Sequence, residues 1–546
     1  MDLLSILRKR SKLLALIFTL IFILLGCRLY YIQFIQGDEL IEGALRQRGK
    51  EILLSPKRGI IFDRNTTPLT NSQRVPTLII QKDQLLEDKE LFKEVQSHTI
   101  LTLKEFRQRI NSDDYLLSIP MEDSFKLDGE VNRAFLVDIV NRYDEDNLLA
   151  HVIGYINKAD NRGQAGIEKV FDEYLNIEGQ EAFVLEYDKS RRLILDGKYH
   201  VDKDFSPHNP AGVKLTIDKR VQEIVEEVLD EAGVKGAVIV ADAKTSQILA
   251  MASRPNFDQD KVYSYFKDEN MALYNKAIQV GYPPGSIFKI VVLLTALEKD
   301  PALIKDQYYC QGFEEINGIR INCTGHHGNL SLEEGFAKSC NSVFIQLAQD
   351  VGAKDIMEMA RTLGFGQKVN IGLLEEDEGN LPKEDEIHGA AIGNIALGQG
   401  KIQVTPLQVT NLMLTIVNGG VSNPLQLVEG ITNRDGLIIK EYQREKEARL
   451  LSNNSSLKAM DMLRQVVKEG TARYMDLDQL GGCGGKTGSA EGILKQREVI
   501  HGWFTGFFPA RNPQYVVTVL VEEAFSGAQS AAPIFEEIIK ELEYFR

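Results

Sequence analysis

A serine and a lysine three residues apart form the first chemically suggestive pair in the sequence. Ser286 and Lys289 lie in GYPPGSIFKIVVLLTALEK, where two prolines and a glycine precede the serine and a strongly helical run begins at it. Residues i and i+3 share one helix face, so this spacing places the ammonium of Lys289 beside the hydroxyl of Ser286. A helix N-terminus also favours negative charge developing at the serine. The pair therefore predicts a nucleophilic serine with a lysine as its base.

The S-x-x-K spacing is weak support by itself, because it also occurs at Ser264/Lys267 and Ser455/Lys458. A single copy is typical of a solvated helix face. Ser286 differs in its context, since two prolines and a glycine that interrupt regular structure precede it. The helix that follows is also apolar enough to bury the stem of Lys289.

Two further motifs supply groups that could activate this pair. A lysine acts as a base only when burial or another cation lowers its pKa. The K-T-G sequence at residues 486–488 offers that cation within GGCGGKTGSAEG, although a plain glycine-rich hairpin is an alternative. The S-C-N sequence at residues 339–341 opens the segment NSVFIQLA, where an N-cap serine is the alternative. In this order, S-x-x-K, S-x-N and K-T-G resemble the motif set of penicillin-binding proteins and class A β-lactamases.

The N-terminus carries an apolar segment that predicts a membrane anchor. Residues 13–27 contain no charge, and the apolar character resumes after Arg28. About 20 apolar residues cross a bilayer, and an arginine near the helix end can extend its guanidinium to the interface. We therefore predict a transmembrane span over 13–35, with a cytoplasmic tail over 1–12 because lysines and arginines precede the span. A cleaved signal peptide and a lipoprotein signal at Cys27 are disfavoured alternatives, since no small-residue cleavage site follows.

Composition limits the remaining possibilities. The 546 residues allow two to four domains, and 43% hydrophobic residues exclude a largely disordered chain. The net charge of -15 argues against binding to nucleic acid.

A turn-rich stretch over residues 200–212 predicts a boundary between a membrane-proximal domain, 36–205, and a second domain, 206–546. In the second domain, Asp218 and Gly233 are expected to cap a helix. AVIVADA and QILAMAS predict a β-hairpin, and the C-terminal runs WFTGFF and YVVTVLVEE precede a helix-like segment, 532–543. Helices and an antiparallel sheet in one domain indicate a mixed α/β fold of the α+β class.

The chain resembles class B penicillin-binding proteins, which are monofunctional peptidoglycan D,D-transpeptidases, over nearly its full length. RGIIFDRN at 58–65 resembles the family's RGxIxDRN, and HVIGYIN and GIEKVFDEYL resemble its pedestal. LTID, ILAMASRPNFD, IALGQGKIQVTPLQV and HGWFTGFFP resemble its catalytic domain. The resemblance implies a β-lactamase-like transpeptidase domain, with an antiparallel central sheet and helices, behind an elongated α+β pedestal and one transmembrane helix. Three departures, at Cys340, Ser489 and Ser246, remove no reacting group.

The resemblance also implies a role for each motif residue. Ser286 would attack the carbonyl between the two terminal D-alanines of a stem peptide, and Lys289 would take its proton. Ser339 would relay that proton to the leaving D-alanine, while Asn341 would hold Lys289 and a substrate amide. The third motif would supply positive potential and bind the terminal carboxylate, through Lys486, Thr487, Gly488 and Ser489. The backbone N–H groups of Ser286 and Ser489 would form the oxyanion hole.

The family further implies the partners of the chain. These are peptidoglycan stem peptides, β-lactam inhibitors, the membrane and a transmembrane glycosyltransferase, and no cofactor is required. A β-lactamase or β-lactam sensor would share the three motifs but would not need the 36–205 module. A largely scaffolding member of a wall-synthesis complex is the non-enzymatic alternative, disfavoured because the motifs are intact.

Three cysteines and a histidine between the first and second motifs form a separate candidate site. They follow the spacing C-x12-C-x3-H-x12-C, at Cys310, Cys323, His327 and Cys340. Such a set could hold a structural Zn²⁺, with His326 as an alternative to His327. In an oxidising compartment two of the cysteines could instead form a disulfide, or all could be independent buried thiols. Either cross-link would make the geometry of the second motif depend on metal or redox state.

Overall fold

The computed structural model describes residues 3–37, 49–56, 58–127, 134–177, 181–186, 198–201, 210–494 and 497–545. The chain divides into two compact units, and each of them combines segments that are distant in sequence. The first unit comprises residues 1–56, 74–141 and 178–204, and the second comprises residues 57–73, 142–177 and 205–546. The boundary predicted between residues 205 and 206 lies outside the described residues.

The N-terminal helix spans Leu3–Tyr30 and continues as a π-helical turn over Tyr31–Ile35. Its stretch from Lys9 to Ile35 is long and apolar enough to cross a membrane. Large apolar side chains along it face outward, and Phe22 is 70% exposed. Such a surface suits lipid rather than water, so this helix supports the predicted single-pass membrane anchor.

The first unit contains an antiparallel sheet in which Arg74–Gln81 lies between Leu116–Pro120 and Ala134–Val140. Leu78 and Ile80 on the central strand are fully buried in its core. Three helices accompany the sheet, Lys82–Glu87, Lys89–His98 and Leu103–Ile110. A second antiparallel sheet joins Gly49–Leu53, Glu181–Glu186 and Lys198–Val201.

The second unit is organised around a five-stranded antiparallel sheet. Its strands lie in the order Ile248–Arg254, Gly236–Asp242, Tyr515–Val521, Arg497–Phe508 and Gly484–Leu494. The predicted hairpin is thus confirmed as one edge of this sheet, and Ser246 in its turn adopts a left-handed φ of 57°. The strand that carries the K-T-G sequence forms the opposite edge.

Helices pack on this sheet and on one another, and in the Lys289–Lys299 helix every residue from Lys289 to Leu297 is buried. Asp218 caps the Lys219–Ala232 helix at its N-terminus, and Gly233 ends it in the left-handed conformation, as predicted. The other helices of the unit are Ala150–Ile153, Gly166–Val170, Asp172–Leu175, Leu332–Ala337, Asn341–Val351, Ala353–Thr362, Ala391–Ala396, Pro406–Val417, Asn453–Lys468 and Ala532–Tyr544.

A smaller mixed sheet completes the second unit, in the order Ile438–Glu441, Val428–Thr432, Gly212–Leu215 and Ile60–Phe62. The last two strands pair in parallel, which places the RGIIFDRN segment inside this unit. Two-stranded ladders join Gln307–Cys310 to Gly328–Ser331, Phe313–Ile316 to Ile319–Asn322, Val421–Ser422 to Ala448–Arg449, and Ile156–Asn157 to Arg162–Gly163.

Candidate active site

Ser286 lies in a short 3-10 turn, Gly285–Ile287, and the α-helix begins at Lys289. The prediction that the helix begins at the serine is therefore wrong by one turn. Gly285 has a φ of 53°, outside the helical range, so regular α-helical geometry cannot extend upstream of it. Ser286 nevertheless remains at the N-terminal end of the apolar helix and is half-buried.

Lys289 projects from this helix into a fully buried position between the first and second motifs. Its Nζ donates to the backbone oxygen of Ser339 at 2.7 Å and to Oδ1 of Asn341 at 2.8 Å. The same Nζ lies 3.3 Å from the Ser339 hydroxyl. The lysine of the first motif thus contacts both outer residues of the second.

Ser339 links the Leu332–Ala337 and Asn341–Val351 helices in a left-handed conformation with a φ of 53°. Cys340, not Ser339, occupies the N-cap position of the second of these helices, so the alternative of an N-cap serine does not hold. Lys486 donates to the freed hydroxyl, with Nζ 3.0 Å from Ser339 Oγ. A residue 147 positions away in sequence therefore completes the arrangement.

The buried amino groups of Lys289 and Lys486 consequently approach one hydroxyl, that of Ser339. Burial lowers the pKa of Lys289 to about 7, although the sulfurs of Cys340 and Cys323 oppose the shift. Burial, followed by repulsion from Lys289, lowers the pKa of Lys486 well below its ordinary value. Aromatic rings face both groups, with Phe344 5.6 Å from Lys289 Nζ and Phe336 5.6 Å from Lys486 Nζ.

Glycines allow the serine turn and the K-T-G strand to approach each other closely. A Cβ on Gly285 would lie 2.6 Å from the backbone oxygen of Ser489. A Cβ on Gly488 would lie 3.0 Å from the backbone oxygen of Pro284 and 2.9 Å from Ile287 Cγ1. Neither position has room for a side chain without displacement of the backbone.

The hydroxyls of Thr487 and Ser489 have contacts that the sequence does not predict. The Thr487 hydroxyl lies 2.6 Å from that of Thr471, in the turn after the Asn453–Lys468 helix. Ser489 Oγ accepts from the backbone N–H of Gly527 at 3.0 Å. Both partners lie in ordinary helix-end segments, so no sequence signal identifies them.

The other two S-x-x-K copies have different surroundings. Ser264 donates to the backbone oxygen of Lys261 in an exposed 3-10 turn. Ser455 follows the N-cap of the Asn453–Lys468 helix, where its N–H donates to Ser452, and Lys458 forms an ion pair with Glu333. Context thus distinguishes Ser286, as predicted.

The cysteine and histidine residues of the candidate metal site converge. Their ligand atoms all lie within 4.8 Å of one another, in the set Cys310, Cys323, His327 and Cys340. Cys323 Sγ is 3.7 Å from Cys340 Sγ and 3.6 Å from Nδ1 of His327, which is 3.5 Å from Cys310 Sγ. His326 instead packs its ring edge against Tyr309, so His327 is the histidine of the cluster.

This cluster contacts the second motif directly. The backbone N–H of Asn341 donates to Cys323 Sγ at 3.3 Å, and the side-chain amide of Asn341 donates to the backbone oxygen of Asn322 at 3.1 Å. The hydrogen bond between the two thiols lowers the pKa of Cys323 and raises that of Cys340. This pair of thiols therefore lies beside the residue that binds Lys289.

The chain is similar to known proteins over most of its length. The chain matches the penicillin-binding protein transpeptidase domain over residues 236–540 and the penicillin-binding protein dimerisation domain over residues 53–194. It is 29% identical to stage V sporulation protein D of Bacillus subtilis (strain 168), over 98% of this chain and 85% of that protein. It is 25% identical to the peptidoglycan D,D-transpeptidase MrdA of Acinetobacter baumannii, over 94% of this chain and 85% of that protein.

Solved structures share the fold. Penicillin-binding protein 3 of Mycobacterium tuberculosis, complexed with aztreonam, aligns with a TM-score of 0.63 at 24% identity, over 91% of this chain and 97% of that one. A chain from work on the structural coordination of polymerization and crosslinking by a peptidoglycan synthase complex aligns with a TM-score of 0.68 at 23% identity, over 98% and 99% of the two chains.

The close approach at Gly285 leads to a prediction about stability. Gly285→Ala should destabilise the protein more than Gly233→Ala, which shares a positive φ of 61° but has no atom within 4 Å of its added Cβ. The left-handed conformation costs about 1–2 kcal/mol for an alanine at either site, and overpacking at residue 285 adds about 1–3 kcal/mol. Guanidinium unfolding of both variants measures the difference. Equal losses would mean that the turn moves freely away from the strand.

Proposed function

The chain belongs to the penicillin-binding protein transpeptidase family and is a peptidoglycan D,D-transpeptidase, and on that premise we propose that Ser286 forms its acyl-enzyme. The observation that carries this proposal is the buried network in which Lys289 and Lys486 both donate to the Ser339 hydroxyl. Ser286 lies one helical turn from Lys289, on the 3-10 turn that leads into it. Ser286 Oγ attacks the carbonyl carbon between the two terminal D-alanines, and a tetrahedral oxyanion forms.

Lys289 is the base in this scheme. A pKa near 7 means that a substantial fraction of its amine is neutral at neutral pH and able to accept the Ser286 proton. Asn341 accepts a hydrogen bond from the same Nζ and so directs it. Ser339 then relays the proton to the nitrogen of the leaving D-alanine, because its hydroxyl contacts both ammonium groups.

The K-T-G strand binds the substrate. Thr487, Gly488 and Ser489 would hold the terminal carboxylate while Lys486 supplies positive potential. The backbone N–H groups of Ser286 and Ser489 would stabilise the oxyanion, and the near contact between Gly285 and Ser489 supports their proximity. An amine of a second stem peptide then attacks the acyl carbon, and the bond to Ser286 Oγ breaks, which regenerates the serine. This reaction needs no cofactor.

Labelling with a fluorescent penicillin tests the nucleophile. A β-lactam mimics the D-Ala-D-Ala amide, so we expect one stable adduct, which mass spectrometry of the labelled peptide assigns to Ser286. Ser286→Ala should abolish the label, whereas Ser455→Ala, in another S-x-x-K copy, should retain it. A label on any other residue contradicts the proposal, and rapid release of the label would indicate a β-lactamase instead.

The two lysines generate a prediction about pH. The acylation rate constant at saturating penicillin should rise with pH and level off above an inflection near 7, because the neutral form of Lys289 is the base. In Lys486→Met the repulsion between the two amino groups is lost. The protonated form of Lys289 is then more stable, so the inflection should move to higher pH. Lys338→Met removes an exposed lysine beside Ser339 and serves as the control. An unmoved inflection in Lys486→Met would show that the two ammonium groups do not interact.

We also propose that the Cys/His cluster binds a structural Zn²⁺. A tetrahedron with Zn–S bonds of about 2.3 Å and Zn–N bonds of about 2.0 Å has S–S edges of about 3.8 Å and S–N edges of about 3.5 Å. Cys323 Sγ lies 3.7 Å from Cys340 Sγ, and His327 Nδ1 lies 3.5 Å from Cys310 Sγ and 3.6 Å from Cys323 Sγ, while all four ligand atoms lie within 4.8 Å of one another. A disulfide would require about 2.0 Å between two sulfurs. The cluster distances therefore favour the metal over the disulfide.

Elemental analysis of protein purified without chelators, together with thiol counting, tests this assignment. We expect about one zinc per chain, lost in Cys340→Ser and retained in Cys483→Ser, which changes a buried cysteine outside the cluster. Two thiols gained on reduction, without zinc, would establish a disulfide. If zinc is absent and reduction does not change the thiol count, the cysteines are independent buried thiols.

The arrangement at the membrane is a further part of the proposal. The basic residues before the span, Arg8, Lys9, Arg10 and Lys12, favour a cytoplasmic N-terminus and an extracytoplasmic catalytic domain over 206–546. The 36–205 module would be the pedestal and, by analogy with the peptidoglycan synthase complex, would contact a transmembrane glycosyltransferase. Alkaline phosphatase fused after Arg546 should be active, since it requires export, and inactivity would reverse the topology.

A further inference from the structure

A buried ion pair lies behind the turn that carries Ser286. Lys276 is fully buried, and its Nζ lies 2.5 Å from Oε2 of Glu522, whose side chain is 2% exposed. The other oxygen of this carboxylate accepts from the Tyr282 hydroxyl at 2.7 Å. Both oxygens of Glu522 therefore have partners, and the lysine neutralises a carboxylate that would otherwise be costly to bury.

Tyr282 connects this pair to the serine turn. It lies four residues before Ser286, in the segment Tyr282-Pro283-Pro284-Gly285, and its backbone pairs with Val404. The next residue, Pro283, accepts through its backbone oxygen from Trp503 Nε1 at 3.0 Å. Trp503 lies opposite Gly488 on the neighbouring strand. The phenol and the indole thus hold the chain immediately before Ser286 against the central sheet.

Glu522 also begins the segment that supports Ser489. It directly follows the Tyr515–Val521 strand, and five residues later the N–H of Gly527 donates to Ser489 Oγ at 3.0 Å. One residue therefore joins two connections, one to the turn of Ser286 through Tyr282 and one to Ser489 through the chain. The backbone N–H groups of these two serines are the ones assigned above to the oxyanion hole.

We propose that Lys276, Glu522 and Tyr282 are positioning residues that fix the separation of Ser286 and Ser489. They touch no reacting atom; they act through the turn and the strand that they join. This inference rests on the proposed function, because it concerns the geometry of that oxyanion hole. Donors to an oxyanion act mainly in the transition state, so loss of the positioning contact should slow acylation without weakening the initial binding of a β-lactam.

The test compares two buried tyrosines in the full-length protein. Tyr282→Phe removes only the hydroxyl and keeps the ring, which packs edge-on against His501 and Trp503. Tyr143→Phe is the matched control, because its hydroxyl donates at 3.1 Å to Glu168, a buried carboxylate that also pairs with Arg142. Each variant leaves a buried carboxylate oxygen without its phenol, so both should lower the melting temperature.

Only Tyr282→Phe should change the chemistry. We expect its acylation rate constant with fluorescent penicillin to fall by about 10- to 100-fold, because a misplacement of reacting groups by about 1 Å can cost about 100-fold in rate. The dissociation constant of the non-covalent complex should change by less than about threefold. Equal rate constants in Tyr282→Phe and wild type, or equal losses in both tyrosine variants, would overturn the inference.

A second variant keeps the test decisive if Tyr282→Phe does not fold. Glu522→Asp retains the charge beside Lys276 but withdraws the oxygen from the phenol, so it should lower the acylation rate constant to a similar degree. Where both single variants fold, the double variant should lose no more than either one, because both remove the same hydrogen bond. Additive losses would overturn the inference. Failure of the wild-type protein to be labelled at Ser286 would instead reject the proposed function itself.

Discussion

Two buried lysine amino groups that converge on one hydroxyl impose the main constraint on this structure. Moving a single ion out of water costs several kcal/mol, and two like charges also repel each other. In the described part of the chain neither Lys289 nor Lys486 pairs with a carboxylate; oxygens of Ser339, Asn341 and Thr487 accept from them instead. These acceptors come from segments far apart in sequence. The fold must therefore hold a helix, a helix junction and a sheet edge in fixed positions around the two lysines.

The sequence identifies the side chains proposed to react far better than it identifies the residues that support them. Ser286 and Lys289 are recognisable from their three-residue spacing before an apolar helix. Lys486 is recognisable from the glycine-rich segment that contains it. The start of the α-helix is misjudged, because Ser286 lies in a 3-10 turn that packs closely, through Gly285, against Ser489 and Gly398. Thr471 and Glu522 are not foreseen, since their contacts depend on tertiary packing between elements that carry no motif.

The Cys/His cluster is only partly predictable from the sequence. Its spacing predicts a shared site but leaves metal, disulfide and free thiols open, and only distances between sulfur and nitrogen atoms favour one of them. Its position has a physical consequence whichever state it adopts. Cys323 accepts from the backbone of Asn341, and Asn341 accepts from Lys289, so a change at the sulfur reaches the lysine through two hydrogen bonds.

The strand order of the central sheet has a consequence for biosynthesis. The Gly236–Asp242 strand pairs on one side with its hairpin partner and on the other with Tyr515–Val521, one of the last segments to be synthesised. A growing chain therefore contains Ser286, Lys289 and Ser339 long before it contains the strands that complete the sheet. Until that strand is synthesised, no strand joins the hairpin to the pair of strands that carries Lys486. A chain truncated before residue 515 would therefore lack the strand in the middle of the sheet rather than one at its edge.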